Sequence, residues 1–402
     1  MNIFYKGYCR VYQFVFKCSI PVLPYRKPKI LENVEAISTE LKELNVNKVL
    51  IVTDEGIVKV GLLNSLTEAF EKENVEFVVY SKTVPNPTSN NVEEARTLYL
   101  ENDCKAIVAL GGGSPIDLSK AVGARIVKPN KSLYKMKGLF KVCKKLPPLF
   151  VIPTTAGTGS ETTVTSVITD SETHHKYLIN DFSLIPHYAV LDYKVTLGLP
   201  PHITSTTGMD ALTHAVEAFI GNTRTKETKK MSMEATKLIV SSLKTCYHEP
   251  TNAEARKNML FASHYAGISF TKAYVGYVHA VAHTLGGKYG VPHGLANSVI
   301  LPVMLEAYGS KAYKKLAVLS RYSGLANEND NDEVAAKNFI NWIKEANKEM
   351  NIPSYIEQIK EEDIDSMVET ALKEGNPLYP VPVLMGKEEI KQIYLNVMKP
   401  QE

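Results

Sequence analysis

Five side chains in the second half of the sequence have the chemistry and the spacing of metal ligands. Asp210 and His214 are four residues apart, as are His279 and His283, and His293 follows in a Val-Pro-His-Gly turn. Residues i and i+4 share one face of a helix at about 5–6 Å, and nitrogen and oxygen ligands suit a divalent transition metal. A single such histidine is usually a core residue, but two pairs favour a metal site. Spacing alone leaves open which of the five groups bind, and neither pair has the His-Glu-x-x-His arrangement of zinc proteases.

A glycine-rich segment, Gly111-Gly-Gly-Ser-Pro-Ile-Asp117, follows an apolar strand pattern and precedes a helical one. Glycines let the backbone turn sharply and approach a ligand without a Cβ in the way. We expect Ser114 to be the N-cap of the helix, Pro115 its first residue and Asp117 the acid of a short capping box. Free N–H groups at such a helix start attract phosphate. The alternative is a tight turn that binds no ligand.

Two further features favour a dinucleotide. The segment Pro153-Thr-Thr-Ala-Gly-Thr-Gly-Ser-Glu-Thr-Thr163 combines small residues with six hydroxyl side chains, which suits sugar, amide and phosphate groups. Asp54 ends the first strand of the alternating region, where an acid can accept hydrogen bonds from an adenosine ribose and repels a 2′-phosphate. We therefore predict NAD rather than NADP. The alternatives are a surface loop rich in serine and threonine, and an ordinary turn aspartate.

The hydrophobic pattern divides the chain into two parts. Strand patterns alternate with helical ones in the first part, with strands at 48–53, 76–80, 106–110 and 149–152 and helices at 58–73, 92–101 and 114–127. Such alternation predicts a parallel sheet covered by helices on both faces. After residue 204 nearly all patterns are helical. We predict an α/β dinucleotide-binding domain over residues 1–195 and an all-helical domain with the metal and substrate sites over residues 196–402.

Composition points away from several partners and compartments. The formal net charge of +3 is small for 402 residues, so nothing global indicates nucleic acid or a membrane as a partner. The five cysteines are widely spaced without a Cys-x-x-Cys pair, which indicates a reducing, cytoplasmic compartment. Seven lysines between residues 128 and 145 are expected to lie in a solvated loop. The apolar segment 3–23 is too short and too charged to span a membrane, and we predict an edge strand or hairpin there.

Together these segments resemble the iron-containing (group III) alcohol dehydrogenase family. The matching strings are Pro85-Asn-Pro-Thr88, Gly111–Asp117, Pro153–Glu161, Gly208-Met-Asp-Ala-Leu-Thr-His-Ala215, His279-Ala-Val-Ala-His283 and Pro292-His-Gly294. They follow the order of the family's motifs, and the resemblance extends from about residue 25 to the C-terminus. It implies a dinucleotide-binding α/β domain followed by a helical domain, with the active site in the cleft between them.

The resemblance also implies a role for individual residues. The implied metal ligands are Asp210, His214, His279 and His293. His283 would be a catalytic residue beside the substrate and outside the coordination shell. The residues implied to contact NAD are Asp54, Asn86, Gly112, Gly113, Ser114, Thr154, Thr155, Thr158, Thr163 and Lys176. The chain departs from the residues that are common in the family at Thr162, Lys272 and Val303, and the last two put the identity of the substrate in question.

The implied reaction is hydride transfer between a small primary alcohol, diol or aldehyde and NAD(H), in a protein that forms homo-oligomers. Fe²⁺ is the expected metal, and Zn²⁺ suits the same ligands. The metal would act as a Lewis acid on the substrate oxygen, while the protein holds the reacting carbons about 3–3.5 Å apart. One rival is a glycerol-dehydrogenase-like or dehydroquinate-synthase-like relative that uses zinc and NAD. The rivals from other classes are a metal-dependent hydrolase and a nucleotide-binding protein without catalysis.

Overall fold

The computed structural model describes residues 1–173 and 175–400, and the chain divides into two compact units. Pro24–Leu197 form one, which we call the α/β unit. Met1–Leu23 and the chain from Gly198 onward form the other, which we call the helical unit. The expected fold class is confirmed, since a parallel sheet with helices precedes a largely helical region. The first 23 residues, however, group with the helical unit, and residues 401 and 402 of the expected second domain lie outside the described residues.

The α/β unit contains two sheets. Its strands are β1 Lys29–Leu31, β2 Lys48–Val52, β3 Glu76–Tyr80, β4 Ala106–Gly111, β5 Gly138–Leu139, β6 Leu149–Pro153, β7 Thr165–Thr169, β8 Lys176–Asn180 and β9 Tyr188–Val190. Six of them form a parallel sheet in the order β1-β9-β6-β4-β2-β3. β5, β8 and β7 form a smaller sheet in which β7 and β8 are antiparallel. The strands β4 and β6 are buried along their whole length, as expected where helices cover both faces of a sheet.

The sheet order brings the ends of three strands together. The chain passes from β2 to β3 on one side and then to β4 on the other, so the strand order reverses between β2 and β4. Ligands of open α/β sheets bind at the carboxyl ends of the strands at such a switch point. Asp54 follows β2, the glycine loop follows β4 and the threonine-rich loop follows β6. Because β2, β4 and β6 are parallel neighbours, all three predicted cofactor segments share one edge.

The helices of the α/β unit differ from the predicted ones in two places. They are α2 Ala36–Glu43, α3 Glu55–Lys59, α4 Asn64–Lys72, α5 Ser89–Glu101, α6 Gly113–Val127 and α7 Leu133–Met136. The predicted single helix over 58–73 is two helices, separated by a turn at Gly61, whose φ of 76° does not continue a helix. α6 begins at Gly113 with Gly112 as its N-cap, so the predictions of Ser114 as N-cap and Pro115 as first helical residue were both wrong. Asp117 does not cap the helix either, because its carboxylate accepts from Ser160 Oγ at 2.8 Å and Val167 N at 3.0 Å.

The helical unit surrounds a buried central helix. Its helices after residue 198 are α8 Pro201–Ile220, α9 Lys226–His248, α10 Ala253–Ala273, α11 Tyr277–Tyr289, α12 His293–Tyr308, α13 Ser310–Tyr322, α14 Asp332–Glu349, α15 Glu361–Gly375 and α16 Lys387–Val397. Every residue of α8 from 208 to 220 is buried, which is typical of a helix in a core. Within the described residues, no helix combines the length and apolarity that crossing a bilayer requires.

The N-terminal segment is helical, so the prediction of an edge strand or hairpin there was wrong. Ile3–Ser19 form α1, which belongs to the helical unit. Cys9 and Gln13 are its buried residues and lie one helical turn apart. Gln13 Nε2 donates to Tyr379 O at 2.8 Å. The apolar side chains that suggested a strand lie mostly on the exposed side of the helix.

Candidate active site

Four side chains of the helical unit converge on a small volume. Asp210 and His214 lie on α8, His279 on α11, and His293 begins α12. One ligand atom from each lies within 4.8 Å of every other. Ligand atoms that surround one transition metal at about 2.0–2.2 Å have such separations. Asp210, His214 and His279 are buried, and His293 is partly exposed, so the cluster has one more accessible side.

A glycine brings the start of α12 against α8. A Cβ at Gly294 would lie 2.6 Å from the backbone oxygen of Thr206, and no side chain is compatible with that distance. The close approach carries the neighbouring His293 to within 3.6 Å of Asp210, measured from Nε2 to Oδ1. The Pro-His-Gly turn of the sequence therefore has a direct geometric purpose.

Glu217 orients His279 from behind. Its Oε2 lies 2.6 Å from His279 Nδ1 and accepts from Gly276 N at 2.8 Å, while Oε1 accepts from Val278 N at 2.8 Å. A Cβ at Gly276 would lie 2.6 Å from Oε1, so the glycine allows the carboxylate to approach. Carboxylates commonly bind the remote nitrogen of a metal-binding histidine in this way and direct its other nitrogen to the metal.

Burial sets the ionisation of this pair. It raises the pKa of Glu217 to about 7, although three donors from the start of α11 act in the opposite direction. Burial and the neighbouring histidines hold the pKa of His279 well below its usual 6.5. A neutral His279 that donates from Nδ1 to Glu217 keeps the lone pair of Nε2 for a metal.

Asn297 gives a direct indication that the cluster fits a cation. Its Nδ2 lies 2.7 Å from Asp210 Oδ1, 3.1 Å from His293 Nε2 and 3.3 Å from His279 Nε2. An amide N–H₂ group carries partial positive charge and donates to the same lone pairs that a metal would use. The buried site thus concentrates acceptors that require a positive centre, and a divalent transition metal suits the imidazole and carboxylate ligands.

His283 lies beside the cluster and contacts a different acid. Its ring stacks on His293 with centroids 5.3 Å apart, but it is not among the four residues whose ligand atoms converge. His283 Nδ1 lies 2.6 Å from Glu374 Oε1, which also accepts from Tyr379 Oη at 2.6 Å. Burial would raise the pKa of Glu374, but the charge of His283 and these hydrogen bonds outweigh it and lower the pKa.

The two predicted phosphate and sugar loops of the α/β unit lie against each other. A Cβ at Gly112 would lie 3.5 Å from Thr155 Oγ1, and one at Gly113 would lie 3.3 Å from Thr158 Cγ2. Thr154 N donates to Gly111 O at 3.0 Å and joins the ends of β4 and β6. Ser114, Thr155 and Thr158 are partly exposed, while Thr154 is buried. The open helix start and the hydroxyl side chains therefore form one continuous surface.

The remaining predicted cofactor residues differ in what they contact. Asp54 caps α3 through Oδ1, which accepts from Ile57 N at 3.0 Å. Asn86 Oδ1 accepts from Lys176 Nζ at 2.6 Å, so these two residues lie together. Thr163 is buried, and its Oγ1 accepts from the buried Lys120 at 2.7 Å. Its hydroxyl holds the loop rather than extending from it.

Comparisons with known proteins agree with this geometry. A family model described as iron-containing alcohol dehydrogenase matches residues 31–193, and one described as Fe-containing alcohol dehydrogenase family, C-terminal, matches residues 204–398. The chain is 34% identical over 365 residues to the 1,3-propanediol dehydrogenase of Citrobacter freundii, with 90% of this chain and 94% of the relative covered. The chain belongs to the iron-containing alcohol dehydrogenase family.

Solved structures support the same assignment. A crystal structure of a 1,3-propanediol oxidoreductase has a TM-score of 0.88 at 33% identity, with 93% of this chain and 99% of that chain covered. A sulfoacetaldehyde reductase from Bifidobacterium kashiwanohense in complex with NAD+ has a TM-score of 0.83 at 27% identity, with 93% and 98% covered.

This iron-containing alcohol dehydrogenase is an NAD-dependent oxidoreductase that acts on small alcohols or aldehydes. The enzyme class expected from the sequence is thereby confirmed. The two alternatives from other classes, a metal-dependent hydrolase and a nucleotide-binding protein without catalysis, are excluded.

Three residues of this site, Glu217, Asn297 and Glu374, had not been predicted from the sequence. Glu217 follows His214 by three residues and therefore shares its helix face, so a His-x-x-Glu pattern was present to be found. Glu374 lies 91 residues from His283, and no local pattern announces their contact. Lys272, which replaces a common asparagine, pairs with Glu227 at 2.6 Å.

Proposed function

We propose that Asp210, His214, His279 and His293 hold one divalent metal, Fe²⁺ with Zn²⁺ as the alternative. The observation that carries the proposal is the approach of four ligand atoms to within 4.8 Å of one another. We further propose that the substrates are small primary alcohols or diols and the corresponding aldehydes. The similarity to a 1,3-propanediol dehydrogenase over 90% of the chain supports a short diol as the first candidate.

The residues of the proposed active site would have different roles in the reaction. The four ligand side chains would hold a metal that supplies Lewis acidity, and the loops of the α/β unit would hold NAD, which supplies the hydride chemistry. Glu217 fixes the ring of His279, and Asn297 contacts three of the four ligand side chains. His283, which contacts Glu374, would orient the substrate hydroxyl or receive its proton. The two loops after β4 and β6 would bind the dinucleotide through backbone N–H groups and hydroxyls.

We propose a preference for NAD over NADP, because the half-exposed Asp54 follows β2 at the switch point of the sheet. A carboxylate there accepts from ribose hydroxyls and repels a 2′-phosphate. Asp54→Gly should reduce the ratio of kcat/KM for NAD to that for NADP by about tenfold or more. Equal use of both cofactors by the unaltered enzyme would contradict the role of Asp54.

We also propose a homo-oligomer and a cytoplasmic location. All five cysteines are free, which suits a reducing compartment.

The metal proposal is tested by replacing each ligand in turn with alanine. Each variant should lose most of its metal after purification, and activity with 1,3-propanediol should fall by at least about 100-fold, because three ligands hold a divalent ion less well than four. His202→Ala is the matched control, since His202 is exposed on the same helix as His214. Metal content is measured by mass spectrometry and activity by NADH absorbance. Full activity of rigorously metal-free enzyme would exclude the proposal.

A further inference from the structure

The helix α1 presents a continuous apolar stripe to the surface. Ile3 is 78% exposed, Phe4 84%, Val11 63%, Phe14 66% and Val15 60%. At 100° per residue these side chains fall on one side of the helix, opposite the buried Cys9 and Gln13. Scattered exposed apolar residues need no explanation, but a contiguous group of this size marks an interaction surface.

Residues outside the stripe attach α1 to the helical unit. Arg10 donates to Val381 O at 2.7 Å and Pro382 O at 3.0 Å. Phe16 packs edge-on against Tyr274 with ring centroids 5.2 Å apart. The buried Cys9 and Gln13 complete this attachment. The stripe therefore cannot be buried by turning the helix over without breaking these contacts, and α1 holds it outward.

Positive charge borders the stripe. Residues 1–23 contain Lys6, Arg10 and Lys17 and no aspartate or glutamate. Lys6 and Lys17 are exposed and lie with Arg10 along one border of the stripe, while tyrosines lie along the other. Burial is the main cause that lowers the pKa of Lys315 to about 8, and Arg224, Arg10 and Lys17 add to it. The net charge of +3 for the whole chain hides this local excess.

We propose that α1 docks on the surface of an anionic lipid bilayer, with its apolar stripe inserted at the level of the headgroups. Amphipathic helices with an apolar face, bordering lysines and arginines and aromatic side chains bind in this orientation, and basic residues near the surface add attraction to anionic lipids.

A second copy of the chain is the less suitable occupant of the stripe. Symmetric pairing would bring the lysines of two positive borders together, and residues 1–23 contain no acid to neutralise them. The prediction of no membrane partner rested on the total charge and on the lack of a spanning segment. Neither criterion detects a helix that concentrates apolar and basic groups at one place.

The test is sedimentation of the full-length enzyme with sucrose-loaded vesicles of phosphatidylcholine, with and without 30% phosphatidylglycerol. We expect binding to the anionic vesicles and at least about tenfold weaker binding to the neutral ones, with loss of binding at high salt. Phe4→Ser/Phe14→Ser removes apolar area, and Lys6→Glu/Lys17→Glu removes charge. Each should lower the partition coefficient by about tenfold or more and leave activity in vesicle-free buffer unchanged.

Matched controls separate docking from general effects. Val60→Ser/Leu100→Ser alters two exposed apolar residues of the α/β unit, and Lys257→Glu/Lys348→Glu makes the same charge change at exposed lysines elsewhere in the helical unit. Both should bind as the unaltered enzyme does. Equal sedimentation of the stripe variants and the controls would overturn the proposal. So would light scattering that shows self-association abolished by Phe4→Ser/Phe14→Ser without binding to vesicles, because the occupant would then be a second copy.

Discussion

The surroundings of His283 distinguish two roles that its position in the sequence allows. Its distance of one turn from His279 on α11 suits a fifth ligand, but Nδ1 is engaged by Glu374 at 2.6 Å. With Nδ1 bound to a carboxylate, Nε2 is the nitrogen that would contact a substrate hydroxyl. The side chain is 37% exposed, unlike the buried His279, so it borders space from which a substrate can approach.

We expect His283→Ala to retain near-normal metal content while kcat falls by about 100-fold, the usual effect of losing a general acid or base. His279→Ala, its matched control on the same helix, should lose metal. Glu374→Gln should reproduce a weaker form of the His283 effect, since it removes the negative charge that positions the ring. Metal analysis and steady-state kinetics on the three variants decide the matter. Metal loss in His283→Ala as severe as in His279→Ala would make His283 a ligand.

Residues of this site were predictable to the extent that their contacts are local. Asp210 and His214 are one turn apart, and the turn containing His293 has a recognisable Pro-His-Gly sequence. The family resemblance, rather than spacing, separated His283 from the implied ligands. Glu374 reaches His283 only through the packing of α15 on α11, which no periodicity in the sequence reveals.

At the scale of elements, Lys120 holds the threonine-rich loop in place. This buried residue of α6 donates to the backbone oxygens of Ser160, Thr163 and Thr165 at 2.7–3.2 Å, and to two of their hydroxyls. A lysine in the middle of an apolar helix thus supplies the donors that a tight loop lacks. Asp117, one turn earlier on the same helix, accepts from Ser160 of the loop and from Val167 of β7.

We expect Lys120→Met to lower the free energy of unfolding by about 3 kcal/mol or more, because several buried carbonyls lose their donor while the apolar stem is retained. The affinity for NAD should fall as well, since the loop also carries Thr154, Thr155 and Thr158. Urea denaturation and NAD titration measure the two effects. Lys59→Met, at an exposed lysine of the same unit, should change neither. A Lys120→Met variant of normal stability would show that the loop holds its shape without this donor.

Elements were predictable where their apolar pattern reflects burial. The strands β2, β4 and β6 were placed within about one residue, because strands covered on both faces are continuously apolar. The helix α1 was mistaken for a strand because its apolar residues are exposed, so they follow no buried face. The helical spacing is visible instead in the residues that pack against the helical unit, Cys9, Gln13 and Phe16, which are less conspicuous in the sequence.

At the scale of the whole molecule, each unit carries the residues for one ligand. The four proposed metal ligands, Glu217 and Asn297 all belong to the helical unit, and all ten proposed NAD contacts belong to the α/β unit. A ligand that binds only the folded form of its site opposes local opening there, by an amount that grows with its concentration relative to Kd. Metal and NAD should therefore protect different segments of the chain.

We expect hydrogen exchange followed by mass spectrometry to show this separation. Zn²⁺ at about 100 times its Kd should slow exchange in peptides of α8 and α11 by up to about 100-fold, wherever exchange requires release of the ion. NAD should slow exchange in peptides that span residues 106–117 and 153–163. In Asp210→Ala, Zn²⁺ should no longer slow exchange and NAD should still do so. In Gly112→Val, whose side chain fills the space beside Thr155, NAD should no longer slow exchange and Zn²⁺ should still do so. If Zn²⁺ still protects α8 and α11 in Asp210→Ala, Asp210 is not a ligand, because the site then binds Zn²⁺ at full strength without this carboxylate.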